Sequence, residues 1–335
     1  MSSQTFSALV VEQDDGGQDV RIRELSSDIL PTDEVLVQVA YSSLNYKDGL
    51  AVTGKGKILR QPFMAPGIDF AGTVIESASP QYKAGDRVVL TGWGVGEKHW
   101  GGFSQLNRVP AAWLVPLPEG LDLRQSMAIG TAGFTAALCV LALEAQGLQP
   151  SEREVVVTGA AGGVGSVAVA LLARAGYRVI ASTGRLHEAG YLRELGAHEI
   201  VDRALFTQPG RPLERERWAG AVDTVGGATL AGLLRSMAYH SAVAACGNAG
   251  GAEFTASVFP FILRGVRLVG VESVLVEAAL RHAAWERLAR ELSLSAIEKM
   301  TEVIALAAVP SYAEQITEGQ IRGRIVVDVN AGKRQ

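Results

Sequence analysis

From Phe6 to about Leu117, apolar and polar residues alternate in short runs broken by Gly, Pro and Asp. A period of two predicts half-buried strands, clearest over 34–41, 67–76 and 87–91. At 121–145 the period becomes helical. From Glu154 onward, β-type runs at 154–158, 178–182, 199–202, 221–225, 241–246 and 267–271 alternate with helices or loops, which predicts a doubly wound parallel sheet. A helical stretch at 277–292 and a lone strand at 323–329 follow. A last strand after a complete α/β domain commonly returns to an earlier one. The expected division is therefore a β-rich domain over 1–125, an α/β domain over 126–273 and a return to the first over 274–335.

The segment Val155–Arg185 reads as one βαβ unit with a glycine turn. Gly159, Gly162 and Gly165, with Gly163 added, form Gly-x-x-Gly-x-x-Gly. The early glycines let a pyrophosphate approach bare N–H groups at a helix N-terminus, and Gly165 lets helix and strand pack closely. Val164, Val167, Ala168, Leu171, Leu172 and Ala175 give the helix one apolar face, and Gly176 stops it. At the end of the second strand, where an NAD site usually has an acid, stand Ser182, Thr183, Gly184 and Arg185. Hydroxyls and a guanidinium suit a 2′-phosphate, so the expected cofactor is NADPH; the plainer reading of Arg185 is a solvated loop residue.

Composition narrows the class of protein. The 335 residues are 48% apolar and 20% charged with a net charge of −4, which fits a globular protein and gives no nucleic-acid surface. Uncharged runs at 127–143 and 155–173 raise the question of a membrane span, but glycines and threonines interrupt both and buried core is the better reading. Residues 1–20 lack a signal-peptide pattern, so a cytoplasmic location is expected. Cys139 and Cys246 read as isolated core thiols. The histidines show no metal-ligand spacing, so no metal site is expected.

In an open parallel sheet, ligands bind beyond the carboxyl ends of the strands. Those ends carry Ser182 to Arg185, Arg203, Gly226 and Gly227, Gly247 and Asn248, then Glu272 and Ser273. Arg203 can join Arg185 at the extra phosphate or merely cap its loop. In the β half, Tyr46 follows a strand within Ser43-Leu44-Asn45-Tyr46-Lys47-Asp48. It can donate a proton, bond a nicotinamide carboxamide, or be a buried structural tyrosine. Lys55, Lys57 and Arg60 can meet the phosphates of a second anionic ligand or simply solvate a loop. The segment 91–103, with its glycines and Trp93 and Trp100, suits a cover over a site. Neither Tyr-x-x-x-Lys nor Gly-x-Ser-x-Gly occurs, which removes the short-chain reductase and hydrolase templates.

The segments 43–48, Pro66–Gly72, Gly130–Ala136 and Thr158–Gly165 together resemble the zinc-free medium-chain dehydrogenase/reductases. Gly54–Lys57, Thr91–Glu97 and Pro260–Arg264 look, more narrowly, like the acrylyl-CoA reductase branch of the quinone oxidoreductase-like group. The resemblance implies an α/β fold class, with a GroES-like β-barrel catalytic domain and a Rossmann doubly wound parallel sheet. Asn45 and Gly67-Ile68-Asp69 stand where zinc relatives have a cysteine ligand and Gly-His-Glu. The resemblance places NADPH contacts at Tyr46, Ala161, Gly162, Gly163, Val164, Thr183 to Arg185, Arg203, Ile262 and Ser273. Asn248 and Gly319 depart from close relatives, which often have Leu and Asn there. A homodimer is implied.

The expected reaction is NADPH-dependent reduction of the activated carbon–carbon double bond of acrylyl-CoA, a short acyl-CoA, to propionyl-CoA. Tyr46 is the first candidate for a polar catalytic role, supported by Asn45 and Asp69, with water an equal candidate for the proton. Lys55, Lys57, Arg60 and Trp93 are the candidate substrate contacts. An NADPH:quinone oxidoreductase and a non-catalytic NADPH-binding protein are the alternatives.

Overall fold

The computed structural model describes residues 4–332 apart from 15 and 152. The chain forms two compact units, Met1–Thr131 with Ile297–Gln335, and Ala132–Ala296.

The first unit is predominantly β. Val35–Leu44 is its central strand, antiparallel to Asp69–Ser77, to Leu106–Val109 and to Arg324–Asp328. The last strand thus returns to the unit begun by the N-terminal residues, and Thr301–Ala305 pairs in parallel on its outer side. Buried Val35, Val37, Val39, Phe70, Leu90 and Val327 fill the space inside the sheet. A hairpin, Thr5–Asp14 with Gly17–Ser26, is added to one side. The alternation that predicted strands is visible in burial: Gly17–Ser26 runs exposed and half-buried in turn except at Arg21 and Ile22, which are both exposed.

In the second unit six parallel strands lie in the spatial order Glu199–Asp202, Arg178–Thr183, Glu154–Val157, Trp218–Asp223, Met237–Ala245, Arg267–Gly270. By position along the chain this is 3-2-1-4-5-6, the order of a doubly wound dinucleotide-binding sheet. Val155, Val156 and Val157 are fully buried, as a central strand covered on both faces requires.

The division differs from the expected one. The first unit ends at Thr131, and the return begins at Ile297 rather than 274. The helix Ala278–Glu291 belongs to the α/β unit because its inner face is held there. Trp285 stacks on Phe134, Arg281 lies over the same ring, and Arg287 forms ion pairs with Glu144 and Glu291.

Leu123–Ala145 is the one helix among the described residues long and apolar enough to cross a membrane, and 83% of its most apolar window is buried. Gly130 interrupts it with φ +51°. Cys139 and Cys246 are free thiols but not isolated ones: Cys246 and burial together push the Cys139 thiol well up.

Candidate active site

In the α/β unit, the glycine turn leads into the helix Gly163–Arg174, whose N-cap Gly162 offers no side chain to its first-turn N–H groups. Those donors are the fit for a pyrophosphate. A Cβ on Gly165 would lie 2.3 Å from the Gly159 carbonyl oxygen, so only glycine permits this approach of helix to turn. Ala160 N–H donates to the Ser182 carbonyl at 3.0 Å and joins the turn to the second strand.

The residues expected at the extra phosphate converge. Arg185 N–H donates to Thr183 Oγ1 at 3.0 Å and its Nη2 to the Ala161 carbonyl at 3.0 Å. Arg203 N–H donates to the Thr183 carbonyl at 3.1 Å, and a Cβ on Gly184 would meet Arg203 Nε at 2.6 Å. Arg203 is exposed and forms no ion pair among the described residues. Ser182 is fully buried, and its Oγ has no hydrogen-bond partner among the described residues. Sequence reasoning missed Tyr191, which donates to Ser166 Oγ at 2.8 Å and pins the helix after Arg185 to the helix of the glycine turn. Further along the rim, Asp223 accepts from Thr158 Oγ1 at 2.6 Å and from Gly226 N–H at 2.9 Å, while burial pushes its carboxyl up. Asn248 lies against Gly226, and Ser273 follows the edge strand. Ile262 is 68% exposed on Phe259–Arg264, among exposed Val258, Phe259 and Leu263.

In the β unit a polar cluster lies wholly in the interior. Asp69 accepts from Ser43 N–H at 3.0 Å, Ser43 Oγ at 2.8 Å, Asn45 Nδ2 at 3.1 Å and Thr131 N–H at 2.8 Å. Asp48 accepts from the N–H groups of Asn45 at 2.9 Å and Ile68 at 3.0 Å. Desolvation, then the Asp69 charge, push the Asp48 carboxyl up to about 7. Arg324, from the returning strand, donates to the Ala128 carbonyl at 2.9 Å, Asn45 Oδ1 at 3.2 Å and Ser43 Oγ at 2.7 Å. Asn45 and Asp69 are thus enclosed and engaged by other protein groups, which suits support of a neighbour. Arg324 was missed; its signal was a charge opening a strand whose next three residues are apolar and buried.

Tyr46 begins the helix Tyr46–Thr53 directly after Asn45 and is 39% exposed, so the buried structural tyrosine is not what the chain has. Trp93 sits two residues beyond Thr91, the cross-strand partner of Asp69, and stacks on Trp113 with centroids 6.0 Å apart. Lys55 is bound by Glu314 at 2.6 Å and Thr317 at 3.0 Å, whereas Lys57 and Arg60 are exposed. Gly319, with φ +72°, closes the helix Val309–Thr317.

The model of the alcohol dehydrogenase GroES-like domain matches residues 31–119, and that of the zinc-binding dehydrogenase matches 163–292. With the doubly wound sheet and its glycine turn, these matches define a GroES-like and Rossmann oxidoreductase, and the expected fold class is borne out. The chain is 55% identical to the acrylyl-CoA reductase AcuI of Ruegeria pomeroyi over 329 residues, 97% of this chain and 100% of that one. The structure of Escherichia coli K-12 YhdH with bound NADPH is 52% identical with a TM-score of 0.94, covering 96% of this chain and 100% of that one. Bacillus subtilis YhfP with NAD bound is 43% identical with a TM-score of 0.93, covering 97% and 100%. The chain belongs to the quinone oxidoreductase-like family of medium-chain dehydrogenase/reductases, in its acrylyl-CoA reductase branch, as the motifs implied.

The family description that mentions zinc does not fit the donor set. Among the described residues no group of three or more His, Cys, Asp or Glu gathers as ligands. The carboxylates of the β-unit cluster are surrounded by N–H donors, and Arg324 adds a buried cation that a metal ion would have to displace.

Proposed function

We propose that this protein is an NADPH-dependent reductase that converts acrylyl-CoA to propionyl-CoA. The 55% identity, over nearly the whole of both chains, to an acrylyl-CoA reductase carries this reading. Arg185, held at Ala161, and Arg203, packed over Gly184, with no acid at the strand end, support the phosphorylated cofactor. They matter because a relative of the same fold is known with NAD bound.

When bound, NADPH supplies a hydride to the β-carbon of the enoyl thioester. The N–H groups opening Gly163–Arg174 bind the pyrophosphate, and Arg185 with Arg203 takes the 2′-phosphate. Tyr46 is the polar side chain offered to the substrate, and it donates to the thioester oxygen on which charge develops or to the α-carbon through water. Asn45 and Asp69 fix the start of the helix that carries it, and Trp93 forms an apolar wall. Lys57 and Arg60 attract the CoA phosphates, while Lys55, tied to Glu314, contributes less.

We infer that the reaction needs no metal, since a guanidinium already fills the polar cluster. We place the enzyme in the cytoplasm, where NADPH and acyl-CoA are made. The subunits pair as a homodimer through the edge strand Arg267–Gly270: it ends the six-stranded sheet, and exposed Leu268, Leu275, Ile262 and Leu263 lie on and around it in sequence.

The test is NADPH consumption with acrylyl-CoA, crotonyl-CoA and a soluble quinone in parallel. Turnover greatest with acrylyl-CoA is expected. Quinone turnover with inert thioesters would leave the fold standing and remove the activity.

A further inference from the structure

Arg324 is a buried cation that the reaction leaves without a part. It is 2% exposed; desolvation lowers the pKa of its guanidinium, and the Asp69 and Asp48 carboxylates oppose that shift. If neutralising Asp69 were its whole purpose, the planar fork would meet that carboxylate in the bidentate geometry such pairs favour. Instead Nη2 is directed at the Ser43 hydroxyl, Nη1 at the Asn45 amide oxygen and Nε at the Ala128 carbonyl. Ser43 lies near the end of the strand Val35–Leu44 and Asn45 caps the helix that Tyr46 opens, so both belong to the junction that delivers Tyr46.

The surrounding backbone is shaped to admit the fork. A Cβ on Gly130 would lie 2.7 Å from Arg324 Nη2 and 2.7 Å from Ser43 Oγ, so no larger residue is accommodated where the helix breaks. Asn45 is held from both sides, its amide oxygen by Arg324 and its backbone N–H by Asp48. The peptide that leads into Tyr46 therefore has little freedom.

We propose that Arg324 is a positioning residue: its guanidinium fixes the strand-to-helix junction at 43–48 in the form that presents Tyr46, so the chemical step depends on it far more than cofactor binding does. The proposal rests on the reductase reading above.

Arg324→Lys keeps the charge, but one ammonium cannot reproduce a planar fork to three acceptors. With acrylyl-CoA its kcat is expected to fall about 10-fold or more while the NADPH Kd stays within about 2-fold. Asn45→Ala removes the relay and keeps the arginine, and is expected to lose kcat to a similar degree. In the double variant the losses are expected not to add, the mark of residues acting through one another. Wild-type kcat in Arg324→Lys, or kcat and NADPH affinity falling together, overturns the proposal. If Arg324→Lys does not fold, Asn45→Ala decides it alone, and an unchanged kcat is the negative result. A wild-type protein that binds NADPH but reduces no enoyl thioester overturns the activity instead. Positioning is then read from the crystal structure of Arg324→Lys: a displaced 43–48 junction supports it, and an unmoved junction removes it.

Discussion

The guanidinium of Arg185 donates from Nη2 to the carbonyl oxygen of Ala161 at 3.0 Å, which ties the end of the second strand to the glycine turn. A side chain already held there loses less conformational freedom when a phosphate arrives. Arg185→Ala is expected to weaken NADPH binding by about 10- to 100-fold, the loss of one charge-assisted hydrogen bond, and to leave NADH binding nearly unchanged. Calorimetric titration of both cofactors checks it; equal losses for the two would remove the 2′-phosphate assignment.

The approach of Gly165 to Gly159 makes a second prediction. With backbone 2.3 Å from the added carbon, Gly165→Ala has to part helix from turn, at a cost of about 1–3 kcal/mol or more. A lower Tm and much weaker NADPH binding are expected. A variant with wild-type Tm and affinity would mean that the turn is looser than described.

Asp48 governs a pH dependence whose sign follows from its burial. Its carboxyl is raised from 3.8 to about 7, so between those values the unfolded chain has released a proton that the folded chain retains. Its contribution to stability is complete below about 4, declines as pH rises toward 7 and is level above that, at on the order of 1 kcal/mol per pH unit. Tm measured from pH 4 to 8 for the wild type and Asp48→Asn reads this directly. The wild type is expected to lose ground to the variant across that window, and a constant difference would sink the assignment.

For the edge strand, Leu268→Glu places a charge on the surface proposed to pair with a second copy. Light scattering is expected to show the wild type as a dimer and the variant as a monomer, with each chain's NADPH affinity retained. A wild type that is monomeric at micromolar concentration contradicts the pairing.

Neutralising Lys57 and Arg60 together is expected to raise KM for acrylyl-CoA roughly 3- to 10-fold, as befits exposed charges, with kcat preserved. Lys55→Ala should do less because its ammonium is bound to Glu314. Quinone reduction, if present at all, should be indifferent to these changes. A KM unmoved by the double variant places the CoA phosphates elsewhere.

Much of this molecule was legible in the chain itself. The strands at 87–91 and 199–202, the alternation of β and helical segments after Glu154, and the glycine turn with Arg185 behind it were all readable, because each is a local matter. Burial on one face of a strand imposes a period of two, and a close backbone approach tolerates only glycine. Tertiary structure alone decided how distant residues combine. It brought Arg324 to Asn45 across 279 positions, enclosed Asp69 and Asn45, gave Lys55 to Glu314 and assigned Ala278–Glu291 to the α/β unit. A buried charge has to find its partners wherever the fold brings them, and no period or spacing along a sequence specifies which distant strand will supply them.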